Sequence, residues 1–457
     1  MRIVFFTSYS VSHIIPIKGL IRYLKDNNFD IVCFVHSKNV AYCIENDIPY
    51  IEYPNNYWNK KHYKEAKEKS KKVKKYEEKK DFIKTYNAFL EEDAIGIYNY
   101  YDDVAKYIEN LIDNFQPDIV FRDSTDIYWM KLKKKEKYLH IKTIGYITNN
   151  LYSWDFLMNS YDYILPVFLG IIHFLPIIPN DYLIDFKNNI ENIYKNISIE
   201  LKEDYIRPFY QYDPKEKLNI VFSQKILQPH YNNRNDIIIL PPSISDFKIE
   251  NNISTDIQEY CKSDNLIYIS TGSFMSREID YYKEILTVIN NKLDKFKIII
   301  SGGKATDKIQ SLIDNMNLKN DVLVKKKIPQ LYVLKHSYLF ITSGGMNSIK
   351  EAIYYKIPMI IFPISSEQRL NGLIVEKLKI GISTYKIPSP FEYLDTKLDR
   401  ILIGNLKNNY TNLKCDYDST SILKEIFLSP FPDTFTASNI TSSFTHISSR
   451  FGYTSVN

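Results

Sequence analysis

Residues 2–7 carry a continuous apolar run, and residues 14–25 follow it with Ile14, Ile17, Leu20, Ile21 and Leu24 at helical spacing. Further short apolar runs occur at 30–36, at 118–123 behind Pro117, and at 143–147. Between the first and second of these lies a long Lys/Glu/Tyr-rich stretch, about residues 60–113, that reads as helical. Strands that alternate with helices predict a parallel, doubly wound sheet.

From about residue 215 the pattern restarts. Runs at 218–223 and 237–240 lead into Pro241-Pro242, a natural place for an interdomain connection. A second series follows: strands at 266–270, 296–301, 322–324, 339–342 and 359–363, with helices starting near 279 and 347. The expected architecture is therefore α/β, with two Rossmann-like domains facing across a cleft. The boundaries expected are 1–215 and 216–428, with the linker near 240–255; residues 429–457, rich in Ser and Thr and nearly free of charge, are expected to form a flexible tail. In such sheets ligands bind at the carboxyl ends of the strands.

Composition narrows the class. A chain of 457 residues exceeds one compact core, and its 44% hydrophobic and 25% charged content excludes a structureless polypeptide. Four cysteines (Cys33, Cys43, Cys261, Cys415) without C-x-x-C spacing argue against a disulfide framework or a zinc site and point to a reducing compartment, the cytoplasm. The first residues read as a strand and not as a signal peptide. No stretch reaches the roughly 18 to 20 apolar residues of a membrane helix; the nearest, 164–178, is broken by Pro166, His173 and Pro176 and reads as core or pocket. A net charge of +5 gives no reason to expect nucleic acid, and the lysine runs at 60–80 and 131–137 read as solvated helix faces, with an anion-binding patch as the alternative and peripheral membrane contact as a further option. Glycine is scarce, 13 residues against the roughly 7% of an average protein. Yet Gly272, Gly302, Gly303, Gly344 and Gly345 sit at the ends of three successive apolar runs.

The richest constellation is the segment 339–348, LFITSGGMNS, followed by Glu351 and Ala352. An apolar strand ends in Gly344-Gly345, where the backbone can turn sharply and admit a ligand, and Asn347 and Ser348 are placed to cap the helix that follows. Free amides and the positive helix end favour a phosphate there. Glu351, one helical turn after Asn347, is placed to accept hydrogen bonds from a sugar diol.

These residues belong to a longer ordered set: Ile328-Pro329-Gln330, Leu334, Gly344-Gly345-Met346-Asn347-Ser348, Glu351-Ala352, Ile357-Pro358-Met359, Phe362-Pro363, Glu367-Gln368 and Asn371. Their order and spacing resemble the donor-binding signature of UDP-glycosyltransferases, especially the bacterial macrolide-glycosyltransferase branch. The segment 267–273 resembles the first strand and loop of that family's donor domain, 219–229 the stretch ahead of its linker, and Ser12-His13-Ile14-Ile15-Pro16 its His-x-x-Pro loop. The resemblance covers roughly residues 1–428.

It implies a GT-B fold and an inverting, metal-independent transfer without a cofactor, with a UDP-sugar as co-substrate and a hydrophobic small molecule as acceptor. It makes 1–215 the acceptor-binding domain and 216–428 the nucleotide-sugar-binding domain. His13 matches the family's catalytic base, which takes the acceptor's proton. Asp123 matches its partner carboxylate, which fixes the imidazole tautomer; Asp126 is a rival close in sequence. Gly272, Ser273, Gln330, Ser343, Gly344, Gly345, Asn347 and Ser348 fall on the donor site, Ser273, Gly345, Asn347 and Ser348 towards the phosphates. Glu351 falls on the ribose, and Glu367 and Gln368 on the sugar hydroxyls. The aromatic and apolar segment 151–178 is the expected acceptor wall.

Three positions depart from the family pattern. Glu367 is one methylene longer than the usual Asp. Ser343 stands where the family has a histidine that contacts the diphosphate, and Lys327 where many members place a tryptophan under the uracil. The alternatives these departures keep open are a non-catalytic nucleotide-sugar-binding or partner-activating subunit and, still an enzyme, a lipid-linked sugar transferase.

Overall fold

A computed structural model describes residues 1–54, 102–159, 163–170, 180–200, 212–228, 234–241, 253–272, 277–385, 390–403, 409–410 and 413. The part of the expected helical stretch at 60–101 and the tail at 429–457 lie outside the described residues. The chain forms two compact units, one built mainly from 1–159 and 179–243, the other from 160–178 and 244–417.

The first unit is a parallel sheet in the order β3-β2-β1-β4-β5-β6-β7. Its strands are β1 (Arg2–Phe6), β2 (Asp30–Val35), β3 (Tyr50–Glu52), β4 (Ile119–Asp123), β5 (Lys142–Ile147), β6 (Asn219–Val221) and β7 (Ile237–Ile239). Successive side chains of a strand point to opposite faces, so β1 feeds two separate cores. Ile3 and Phe5 join Leu20, Ile21 and Leu24 of the helix Lys18–Asp26 on one face. Val4 and Phe6 join Val104, Ile108 and Ile112 of the helix Asp102–Phe115 on the other. Covering both faces is what makes the strands apolar throughout, and each fully buried Phe or Ile contributes about 1.5–3 kcal/mol. Phe5 stacks on Phe121 at 4.5 Å between ring centroids, and Phe6 on Phe34 at 4.8 Å.

The expected boundary near residue 215 moves. β6 and β7 hydrogen-bond to β5 and to each other, so 219–239 completes the first sheet and does not open the second. The apolar runs there read the same in either sheet, and only backbone pairing assigns them. The segment expected to be one acceptor wall is also divided. Leu151, Tyr152 and Trp154 are buried in the first unit, whereas the short helix Ile164–Leu169 belongs to the second. There the Arg369 guanidinium donates to the carbonyl oxygens of Val167 (3.1 Å) and Phe168 (2.9 Å), and Gly170 turns the chain at φ +77° directly against it. A Cβ at residue 170 would lie 2.8 Å from the Arg369 Cζ.

The second unit is a parallel sheet in the order β10-β9-β8-β11-β12-β13. Its strands are β8 (Leu266–Ser270), β9 (Lys297–Ser301), β10 (Asp321–Lys325), β11 (Leu339–Thr342), β12 (Met359–Ile361) and β13 (Gly381–Ser383). In both sheets the strand order reverses direction between two adjacent strands, β1 and β4 in the first and β8 and β11 in the second. Such a switch point opens a ligand crevice at the strands' carboxyl ends. Among the described residues, no helix is long and apolar enough to cross a membrane.

The carboxyl end of β4 is anchored from behind. Arg122 is buried and donates through Nε to Glu216 Oε1 (2.8 Å), through Nη2 to the Pro214 carbonyl (2.6 Å) and through Nη1 to the Asp126 carbonyl (3.1 Å). Lys133 donates to both Glu216 oxygens, at 2.6 and 2.5 Å. Removing one member of such a network leaves an uncompensated buried charge. Glu216→Gln is therefore expected to cost about 3 kcal/mol, read as a lower denaturant midpoint at unchanged m-value. A midpoint equal to that of the parent protein would show that the network contributes nothing net.

Candidate functional site

At the first switch point the loop after β1 folds into two 3-10 turns, Val11–His13 and Ile15–Ile17, before the helix begins at Lys18. Pro16 brings no N–H and disfavours an α conformation at Ile15, so the helix starts four residues later than the apolar spacing predicts. His13 is thereby held on a short turn, its amide on the Ser10 carbonyl at 3.0 Å. β4 runs beside β1 with Arg122 opposite Phe6, which puts Asp123 just past the end of β1.

The two side chains meet: His13 Nδ1 lies 2.8 Å from Asp123 Oδ2. Asp123 is fully buried, and His13 keeps a side-chain exposure of 16%. The other carboxylate oxygen, Oδ1, accepts from the Thr125 amide (2.9 Å) and hydroxyl (2.6 Å). Burial alone would raise the Asp123 pKa; the attraction of His13 and the bonds from His13 and Thr125 outweigh it and hold the carboxyl below its ordinary value. An ionised carboxylate only accepts hydrogen bonds, so Nδ1 must carry the donated proton, and in the neutral imidazole the lone pair is then on Nε2.

The rival carboxylate is occupied elsewhere. Asp126 accepts from the backbone amides of Tyr128 (3.2 Å) and Trp129 (3.0 Å), and burial pushes its pKa up to about 7 against the pull of Arg122. It serves the backbone of the helix Tyr128–Leu132, whereas Asp123 faces His13.

At the second switch point Gly272 follows β8 with φ +83°, and Gly344 follows β11 with the same angle. Ser273 lies outside the described residues. Gly344 has two requirements: positive φ, and room, since a Cβ would come within 2.6 Å of Ile361 Cγ2. Gly345 is extended (φ −61°, ψ 141°) and is itself the N-cap of the helix Met346–Tyr354, with no side-chain capping bond. The expectation that Asn347 and Ser348 cap this helix is corrected: they stand inside its first turn, because the chain becomes helical directly after Gly345. The helix N-terminus therefore presents backbone N–H groups and its positive dipole end without an attached acid, as an anion site requires. Ser343 sits at the foot of the same turn, 2% exposed, and its Oγ is buried with no hydrogen-bond partner.

Gln330 opens the helix Gln330–His336 and ties two other expected donor residues, Ser348 and Glu351, to Tyr268 of β8. Its Oε1 accepts from the Tyr268 hydroxyl (3.1 Å), and its Nε2 donates to Glu351 Oε2 (2.5 Å) and to Ser348 Oγ (3.4 Å). Burial pushes the Glu351 pKa up to about 7, opposed by the Gln330 bond and by Lys350. Lys327 is exposed.

Glu367 and Gln368 lie in the first turn of the helix Ser366–Lys377. Gln368 completes a capping box: its amide nitrogen donates to Ser365 Oγ, and its Oε1 accepts from the amides of Ile364 (2.8 Å) and Ser365 (3.2 Å). Its carbonyl oxygen is thus committed to the backbone, and its side-chain NH2 is the part that could meet a hydroxyl. Sequence reasoning quoted Asn371 but gave it no role. In the structure Asn371 is buried, and its Nδ2 donates both to the Gly344 carbonyl (2.9 Å) and to Glu367 Oε1 (2.9 Å), coupling the glycine turn to the expected sugar-holding carboxylate. Arg277, which follows the glycine loop after β8, was not anticipated either; it lies over the Tyr281 ring at 4.6 Å and donates to the Phe362 carbonyl. Among the described residues, no group of three or more His, Cys, Asp or Glu could hold a metal ion.

Comparison with known proteins gives the arrangement a context. The family model described as UDP-glucoronosyl and UDP-glucosyl transferase matches residues 243–411, the span that carries the glycine turn, Glu351 and Glu367. The NDP-glycosyltransferase YjiC of Bacillus subtilis is 29% identical over 213 residues, covering 45% of this chain and 52% of that protein. The uncharacterized UDP-glucosyltransferase YojK of Bacillus subtilis is 26% identical over 196 residues, covering 42% and 45%. The matched stretch thus spans about half the length of these relatives. The crystal structure of the kitacinnamycin glycotransferase superposes with a TM-score of 0.62 at 14% identity, covering 90% of this chain and 93% of that one, a likeness of fold. Residues 243–411 thus match the UDP-glucoronosyl and UDP-glucosyl transferase family model, and the chain, with both of its parallel sheets present, has the GT-B fold.

Proposed function

We propose that the protein is an inverting, metal-independent glycosyltransferase that moves a hexose from a UDP-sugar to a hydroxyl of a hydrophobic small molecule. The observation that carries this reading is the 2.8 Å bond between His13 Nδ1 and the buried Asp123 carboxylate, which leaves Nε2 as a base. As the acceptor oxygen attacks the anomeric carbon, Nε2 takes its proton, and Asp123 stabilises the imidazolium that results. The C–O bond to the diphosphate breaks on the opposite face, so one displacement inverts the anomeric configuration.

The leaving diphosphate gathers negative charge. N–H groups at the start of the helix Met346–Tyr354 and its dipole offset that charge in the role a metal takes elsewhere. The ribose diol meets the Glu351 carboxyl, which Gln330 holds by one oxygen. Ser343 supports donor binding as well: a buried hydroxyl without a partner costs about 1–3 kcal/mol, which a phosphate oxygen would recover. Cytoplasmic location, the acceptor class and the hexose remain part of this reading, drawn from the sequence.

His13→Ala is expected to lower transfer from UDP-glucose about 10²–10⁴-fold while leaving UDP affinity unchanged, and Asp123→Asn to act in the same direction through the imidazole tautomer. Steady-state kinetics and UDP titration check both, and a His13→Ala enzyme that turns over at the parent rate rules the base out. Ser343→Ala is expected to act with opposite signs on two quantities. Thermal stability without ligand holds or rises, because an orphaned hydroxyl is removed, while UDP affinity falls about tenfold, a hydrogen bond to a charged group being worth about 1.5–3 kcal/mol. Equal UDP affinity in the two proteins excludes Ser343 from the donor site. A thermal-shift panel of UDP, UDP-glucose, UDP-N-acetylglucosamine and a TDP-sugar identifies the donor, since a ligand at about 100 times its Kd adds roughly 2.7 kcal/mol. UDP binding with no UDP released from any of these sugars would instead favour a non-catalytic binding subunit.

A further inference from the structure

An arginine spans the carboxyl end of the second sheet. Arg277 stands two residues before the helix Ile279–Lys292, past the Gly272 turn that follows β8. Its guanidinium lies over the Tyr281 ring at 4.6 Å and donates through Nη2 to the Phe362 carbonyl. Phe362 follows β12, and its amide donates to the Thr342 carbonyl of β11 at 2.8 Å. Thr342 is paired with Ile361, which puts Phe362 beside Ser343, the residue after β11. Because β11 lies between β8 and β12, the arginine joins the loops on either side of the strand end where the glycine turn begins.

Two buried donors at this place lack acceptors. The Arg277 Nε and the Ser343 Oγ are both shielded from solvent and make no hydrogen bond. Burial holds the Arg277 pKa below its ordinary value, and the ionisable groups that oppose this among the described residues are Tyr281 and Tyr282, phenols that burial keeps neutral; no carboxylate stands among them. A desolvated cation is costly unless an anion or a full set of acceptors compensates it. The Tyr281 ring recovers part of this cost, but that attraction acts on the charge and leaves the Nε proton without an acceptor.

We infer that Arg277 is a further diphosphate-binding residue: its guanidinium, held by the Tyr281 ring and the Phe362 carbonyl, donates to the diphosphate of the nucleotide sugar beside the Ser343 hydroxyl. The inference rests on the reading of this unit as the donor site. Helix amides and a serine hydroxyl offer partial charges alone. Arg277 adds a full positive charge where the diphosphate becomes more negative as its bond to the sugar breaks. A guanidinium without a carboxylate partner suits this task, since it has no internal anion to exchange for the ligand.

The test compares wild type, Arg277→Gln and Arg277→Lys by the Kd for uridine and for UDP and by kcat with UDP-glucose. Uridine carries no phosphate and serves as the internal reference. Arg277→Gln is expected to raise the UDP Kd about tenfold to a hundredfold, the worth of a hydrogen bond to a charged group. The uridine Kd stays within about twofold of wild type, and kcat falls. Should Arg277→Gln fail to fold, Arg277→Lys carries the test: one compact ammonium does not bond the Phe362 carbonyl and a diphosphate together, so the UDP Kd rises about threefold or more with the uridine Kd unchanged. UDP affinity equal to that of wild type in the variant that folds overturns the inference. So does an equal loss for uridine and UDP, which is what a merely structural clamp between the two loops would produce. Wild-type protein that binds neither uridine nor UDP would instead overturn the donor-site reading beneath it.

Discussion

Parallel strand pairing is the constraint on which both halves of this molecule depend. In the first unit β1 and β4 lie side by side although more than a hundred residues separate them in the chain, with Phe6 opposite Arg122. That register places the end of β4 beside the loop leaving β1, and so brings His13 to Asp123. A slip of one residue would turn Asp123 to the other face of the sheet and point Arg122 where the carboxylate now stands. The apolar cores on both faces oppose such a slip, because Ile119 and Phe121 belong to one core and Val120 to the other. Hydrophobic burial, a force without direction, thus fixes a directional hydrogen bond at the carboxyl ends of the central strands.

The second unit uses the same position in its sheet with different chemical means. Where the first unit brings together two side chains, the second offers main-chain groups: a glycine forced to positive φ against Ile361, an extended glycine as N-cap, and a helix start with no side-chain capping bond. Side chains then fix the orientation of the turn. Asn371 holds the Gly344 carbonyl, Gln330 holds Glu351, and the capping box at Ser365 sets the direction of the helix that bears Glu367. Buried polar groups of this number are stabilising only when their partners are in place. One of the exceptions, the Ser343 hydroxyl, lies at the site proposed for the diphosphate.

Much of this was legible in the order of residues. Glycine is scarce in this chain, so paired glycines after apolar runs marked the turn proposed to meet the donor, and the spacing from Gln330 to Asn371 carried the family resemblance. Other features were not. The helix Asn180–Glu200 has asparagine and isoleucine interleaved with no clear apolar stripe, and it escaped a reading based on periodicity. Asp123 and Asp126 were equivalent as carboxylates near one strand end, and only the backbone amides of Tyr128 and Trp129 separate them. Arg277 looked like one more basic residue in a basic chain, and only the folded sheet brings the Phe362 carbonyl to it.

By itself the sequence determined the class of most segments and the two-sheet α/β architecture, because these follow from local periodicity and backbone permissiveness, and it supplied the candidates proposed to meet a nucleotide sugar. The tertiary structure decided which strands share a sheet, moving 219–239 into the first unit, and it placed the helix Ile164–Leu169 with the second. It also decided which carboxylate faces His13 and which groups hold Arg277. The physical reason is the same in each case: pairing partners and dielectric surroundings are set by residues distant in the chain, and nothing in a local window encodes them.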